Sequence, residues 1–204
     1  MLTTIDSAIR NRALVCLTSR SKKEIYKGLD VILHSYNKAG YYIKLIRGNN
    51  EFRPLLTDLE DDLDIELDFV AQGEHVPKAE RNNRTIGERI QAGFHRLPFS
   101  RMPTIMLKTL AKISCRQLNY FPAKNDISPY YSLHMILNKQ CLVYGKHCKI
   151  PFGAYVQAYQ EEEKKNNNKP RTVDAIYLEP CLTSAGGHWI MNLETGKRMH
   201  KGRC

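Results

Sequence analysis

Glu80 stands in a run of cations and amides, HVPKAERNNRTIGERI over residues 75–90, which offers the clearest chemistry in the chain. A carboxylate can coordinate a hard divalent cation such as magnesium or manganese. Lys78, Arg81, Arg84 and Arg89 can meet phosphate oxygens, and the Asn83 amide can both donate and accept. Such a set suits chemistry or binding at a phosphodiester. It equally suits an exposed helix face laced with Glu–Arg pairs, and the run alone leaves both readings open.

The spacing indicates what must position these groups. Asn83, Arg84 and Gly87 follow Glu80 at i+3, i+4 and i+7, so the four share one face of a helix. Gly87 leaves room for a backbone to approach closely. Ile86, Ile90, Phe94 and Leu97 form the apolar stripe, with Glu80 beside it at the rim of the core. The pattern predicts a long helix over 77–95, a break at Pro98 and Pro103, and a second helix over 103–119.

Upstream, residues 2–8 and 11–18 read as a β-hairpin. Ser21 with Glu24 reads as a capping box for a helix whose buried row is Ile25, Leu29, Ile32 and Tyr36, ended by Gly40. Residues 41–46 (YYIKLI) are the strongest strand signal, followed by a short helix over 51–60. Over 62–69, Leu63, Ile65, Leu67 and Phe69 alternate with Asp62, Asp64, Glu66 and Asp68, the pattern of a half-buried strand with a charged outer face. The order hairpin, helix, strand, helix, strand, long helix gives an α/β fold with a mixed sheet and flanking helices. Residues 126–151 read as a loop-rich connector. Residues 152–204 read as a small β-rich unit, with strands at 152–160, 172–179 and 188–193, a turn at 194–196 and a polar loop at 161–170.

The 204 residues carry 31 Lys and Arg against 21 Asp and Glu, a net charge of +10. Ten of those cations lie in residues 74–124 against three Glu, the kind of block that neutralises phosphates. No apolar run approaches the roughly 20 residues a membrane helix needs, so no membrane partner is expected and the expected location is inside the cell. Cys141, His147 and Cys148 lack the second ligand pair of a zinc site, and the six cysteines read as ordinary thiols. The acidic run over 58–68 lacks the glycine and ligand spacing of a calcium loop.

HVPKAERNNRTIGERI resembles the third catalytic motif of copia-type retrotransposon integrases. GFHRLPF, RQLNYFPAKNDISPYYS, HCKIPFGAYVQAY and RTVDAIYLEP resemble the segments that follow it in elements of that group. LTTIDSAIRNRAL, YNKAGYYIKLIRGNNEF and GGHWIMNLETGK do so as well, and the ordered set covers nearly the whole chain. The resemblance implies a ribonuclease-H-like core over 1–125 that joins DNA ends to target DNA, a polynucleotidyl transferase acting in the nucleus. It implies DNA as partner, with a homo-oligomer or the remaining polyprotein, and no small-molecule substrate. Two aspartates and a glutamate of that family hold two magnesium or manganese ions, which activate the attacking oxygen and stabilise the leaving one.

Carried onto this sequence, Glu80 matches the glutamate. Asn49 stands where the second aspartate belongs, an amide of the same size without the charge. The first aspartate belongs on a strand ahead of the hairpin, and only two strands fit before residue 22. Asp6 and Glu51 are the alternative metal ligands. The implied first strand lies between the second and fourth strands of the sheet, so without it two buried edges lack partners. The expected outcome is a gap that closes, a gap that another segment or chain fills, or a marginally stable domain. The resulting expectation is a catalytically impaired integrase fragment that still binds DNA. One alternative is a non-catalytic DNA-binding or protein-interaction module. The other is an active nuclease or transferase completed by Asp6 or Glu51. In the tail, Trp189 and the basic end (Lys197, Arg198, Lys201, Arg203) suit DNA contact.

Overall fold

The computed structural model describes residues 1–69, 76–122, 127–159, 170–182 and 186–202. The expected polar loop 161–170, apart from Pro170, and Arg203 lie outside them. The fold is mixed α/β, as expected. The chain divides into two compact units, Met1–Ile90 with Ser114–Cys141, and Gln91–Ile113 with Leu142–Cys204. The boundaries expected at 125 and 151 follow the resemblance; compactness divides the chain elsewhere, because two long helices each carry it from one unit into the other.

In the first unit, β1 (Leu2–Ile5) and β2 (Arg12–Val15) form the expected antiparallel hairpin. The helix α1 (Lys22–Lys38) buries Ile25, Leu29, Ile32 and Tyr36, the row read from the sequence. The Ser21 hydroxyl accepts the Glu24 N–H at 3.4 Å, but the returning half of the capping box does not form. Glu24 instead accepts the Thr18 hydroxyl at 2.7 Å, and the Ser21 N–H donates to Ser19 Oγ at 3.3 Å. Gly40 follows the helix with a φ of +85°, where a side chain is strained.

The two expected strands at 41–46 and 62–69 are both shifted toward their C-terminal ends. Only β3 (Leu45–Gly48) and β4 (Glu66–Phe69) pair, in parallel. A 3-10 turn over Asn50–Leu55 runs into α2 (Leu56–Leu63), so the helix reaches three residues past the expected 60. Leu55, Leu59 and Leu63 make a helical row at i, i+4 and i+8, while Leu63, Ile65 and Leu67 make a strand row; Leu63 belongs to both. The switch falls at Asp64, whose left-handed backbone (φ 54°) caps α2. Asp62 and Asp64 therefore do not guard a strand edge, whereas Glu66 and Asp68 do lie exposed on β4.

No single mixed sheet forms among the described residues. The first unit holds two separate two-stranded sheets, β1–β2 and β3–β4, over one shared apolar cluster that includes Leu2, Leu29, Leu59 and Leu67. The second helix expected over 103–119 forms as α4 (Thr104–Gln117), and the segment read as loop-rich contains α5 (Leu133–Asn138), capped by Ser132, whose Leu137 joins that cluster.

In the second unit, α6 (Tyr144–His147) precedes an antiparallel sheet of order β5 (Tyr155–Tyr159), β6 (Thr172–Pro180), β7 (His188–Asn192) and β8 (Arg198–Lys201). The fourth strand was not anticipated, because its RMHK sequence is polar. One face, with Ile176, Leu178 and Met191, packs on Met106. The other encloses Ala158, Ala175 and Ile190.

His188 carries a pH prediction. Its Nδ1 is buried without a hydrogen-bond partner. Burial, and then the nearby His200, lower its pKa below the usual imidazole value. The Tyr177 ring lies 5.5 Å away, and Lys201 is its β8 partner in register. The unfolded chain then binds the proton more readily, so stability is present above about pH 6.5 and is lost as pH falls toward the folded pKa. The melting temperature of the second unit, followed by Trp189 fluorescence, should decline between about pH 7 and pH 5. His188→Gln should flatten that decline, and His200→Gln should reduce it less. An unchanged slope in His188→Gln assigns the titration elsewhere.

Candidate nucleic-acid interface

The helix that carries the candidate residues is α3 (Pro77–His95), with the bounds expected from the sequence. Pro77 suits the first helical position because its missing N–H needs no partner there. The Glu80 N–H closes the first turn on the Val76 carbonyl at 3.1 Å. Lys78, Glu80, Arg81, Asn83, Arg84 and Arg89 are all exposed, and Ile86 is buried. Gly87 has open space where a Cβ would stand.

The early turns of α3 lie along the hairpin. Lys78 Nζ donates to the Ser7 carbonyl at 3.3 Å, and the Thr3 hydroxyl donates to Asn83 Oδ1. Asn82 is 3% exposed and donates to the Thr4 carbonyl at 3.3 Å. Sequence reasoning passed over Asn82, although its spacing was informative: 82, 86, 90 and 94 run at i+4, so it heads the inward row. Asn83 is thus partly a structural contact, and Lys78 reaches the turn that follows Asp6.

Asp6 ends β1. Its Oδ1 accepts the N–H of Ala8 at 2.8 Å and of Ile9 at 2.5 Å, so this aspartate shapes the hairpin turn. Asn49 is exposed and directly follows β3, and its carbonyl accepts the Phe52 N–H at 3.1 Å. Gly48 before it is closely packed: a Cβ there would meet the Phe52 ring at 2.8 Å, so the ring would have to shift. Glu51 is exposed in the 3-10 turn. Among the described residues no group of three or more His, Cys, Asp or Glu could hold a metal ion. Asp6, Glu51 and Glu80 therefore do not make a three-carboxylate cluster.

The charge is unevenly divided. The first unit's segments carry 17 Lys and Arg against 15 Asp and Glu, a net +2, and the second unit's carry 14 against 6, a net +8. The acidic run at 58–68 offsets much of the charge of α3 within its own unit. In the second unit Trp189 is half-buried: it packs against the cluster that holds Leu178 and Met191, with the Arg198 guanidinium 4.0 Å from its ring centroid. Arg198 is itself held by Glu179 at 2.7 Å, whereas Lys197 is exposed. Elsewhere in the first unit, a cleft of about 350 Å³ is lined by Asp30, His34, Asn37 and Lys44 among others, and no residue of α3 lines it.

No protein-family model matches the chain, and no curated protein matches it. Among the described residues, no helix is long and apolar enough to cross a membrane.

Proposed function

We propose that the chain is part of a copia-type retrotransposon integrase, with a ribonuclease-H-like core whose metal site is impaired and whose surviving activity is binding DNA. The observation that carries this reading is the split of the four strands into β1–β2 and β3–β4. In a ribonuclease-H-like sheet the first strand sits between the second and the fourth. Four remaining strands without it fall into just such an antiparallel pair and a parallel pair. A second copy or the rest of a polyprotein would supply the central strand.

Asn49 at the end of β3, and Asp6 committed to its turn, support impairment. An amide beside a dication lacks the charge that two closely spaced ions require. The exposed cations Arg81, Arg84 and Arg89 would contact phosphates without reading sequence. In the nucleus, duplex binding should then weaken steeply with salt, by a slope of about 0.9 per phosphate contact.

The test is nicking of supercoiled plasmid by folded protein with manganese. No nicking is expected, and Asn49→Asp alone should not restore it. Nicking that disappears in Glu80→Gln would replace this reading with the active enzyme completed by another ligand.

A further inference from the structure

The four-stranded sheet of the second unit has two edges, β5 and β8, and they are unlike. β8 reads RMHK, and cations such as its Arg198 and Lys201 discourage another strand from pairing. β5 reads YVQAY, without a charge, a proline or a glycine, and its Tyr and Val residues favour a strand. Of the two edges, β5 is the unguarded one.

Register fixes which of its hydrogen-bonding groups are open. β5 pairs with β6 antiparallel, Gln157 opposite Asp174. The Tyr177 N–H donates to the Ala154 carbonyl at 2.8 Å. Bonded and non-bonded pairs alternate along such a ladder, so Val156 and Ala158 bond to β6. On the far side of β6 the Leu193 N–H donates to the Asp174 carbonyl at 3.0 Å, so Asp174 bonds toward β7 and not toward Gln157. Tyr155, Gln157 and Tyr159 therefore turn their N–H and C=O groups outward. Among the described residues no backbone group meets them, and all three residues are exposed.

We propose that β5 pairs with β5 of a second copy of this chain, antiparallel about a two-fold axis through Gln157, so that two four-stranded sheets become one continuous sheet. The strand is its own complement. In that register Gln157 faces the partner's Gln157 and Tyr155 faces the partner's Tyr159, and the outward groups of all three residues find partners at once. A strand that faces itself sets a central charge against the same charge, and β5 has none to oppose. Cross-strand tyrosine pairs would cover rings now 58% and 49% exposed. The Tyr155 hydroxyl already donates to Asp174 Oδ1 at 2.6 Å, so that ring is placed before the second copy arrives. On the opposite face Val156 meets the partner's Ala158, which extends the apolar layer of Ala158, Ala175 and Ile190. One pair of short strands is a small interface, so the dissociation constant should be on the order of 10–100 µM. This contact lies outside the integrase reading and does not depend on it.

The experiment is sedimentation velocity of the full chain from a few to a few hundred micromolar, across which the parent should pass from monomer to dimer. Gln157→Pro removes an outward N–H without breaking a bond to β6, a change that edge strands tolerate, and should weaken association by about tenfold or more. Gln157→Lys and Gln157→Glu each set like charges on the axis, and each alone should stay monomeric. Mixed in equal amounts, these two variants should associate within about threefold of the parent. That rescue requires residue 157 of one copy to face residue 157 of the other, so loss of fold or an unrelated strand on this edge does not produce it. Thermal melts followed by Trp189 fluorescence identify folded variants. The idea is overturned if the parent stays monomeric throughout, if the mixed Lys and Glu variants stay monomeric, or if folded Gln157→Pro associates as the parent does. The last result would place the contact on another surface, such as the open strands of the first unit, and would leave the integrase reading standing.

Discussion

Arg198→Ala should destabilise the second unit by about 2–4 kcal/mol, a large share of the stability of a small domain. The Glu179 side chain is 7% exposed and its carboxylate meets the Arg198 guanidinium at 2.7 Å. Removing the cation takes the guanidinium away from a poorly hydrated carboxylate, and breaking a buried pair from one side costs more than the net value of the pair. Arg198 is itself 35% exposed, which keeps the expected loss toward the lower part of the usual range. The same guanidinium covers the Trp189 ring, so truncation also strips packing from β7. Arg198→Lys keeps the charge but not the planar fork or the stacking, and should cost about 1 kcal/mol. Glu179→Gln removes the buried charge and lets Arg198 turn to solvent, so its loss should be smaller than that of Arg198→Ala. Urea unfolding followed through Trp189, the only tryptophan, reads the second unit directly. A loss under about 0.5 kcal/mol in Arg198→Ala would show that the pair is a surface contact of little weight.

Asn119→Ala should cost the first unit about 2–3 kcal/mol, because one carboxamide there replaces a whole strand partner. The Asp6 N–H donates to the Asn11 carbonyl at 2.9 Å, so the alternation of an antiparallel ladder turns the Arg12 N–H and C=O away from β1. Asn119, 6% exposed, satisfies both: its Oδ1 accepts the Arg12 N–H at 3.1 Å and its Nδ2 donates to the Arg12 carbonyl at 2.7 Å. Its own carbonyl accepts the His134 N–H at 2.9 Å, which ties α5 to the same point. Alanine would leave two partly buried backbone groups unmade. Aspartate would keep the acceptor but set a charge against the Arg12 carbonyl, and should do no better. Amide hydrogen exchange provides the site-specific check, since the Arg12 N–H should lose protection well before the amides of α1. Retained protection in Asn119→Ala would mean that another group closes the outer edge of β2.

The local elements were legible wherever one period ran without competition. The 77–95 helix follows from Ile86, Ile90 and Phe94 recurring at four-residue spacing after Pro77, and α1 follows from Ser21, its buried row and Gly40. The failure at 62–69 has the same origin. Leu63 satisfies a helical row and a strand row at once, and only the left-handed turn at Asp64 shows which applies. The fourth strand of the second unit was invisible because its residues are polar and its pairing, His188 with Lys201 through Met191 with Arg198, is settled by a neighbour and not by its own alternation.

By itself the sequence determined which residue types could do chemistry: a carboxylate among cations at Glu80, an amide at Asn49, and an excess of positive charge. Those are properties of covalent structure and survive any folding. Tertiary structure decided which of them are free to act. It tied Asp6 to its own turn, put Asn82 at the head of the inward row of α3, and committed Trp189 and Arg198 to each other. It also assigned most of the net charge to the second unit. Availability depends on what lies next to a side chain in space, and neighbours far apart in sequence, such as Arg12 and Asn119, become neighbours only when the chain packs.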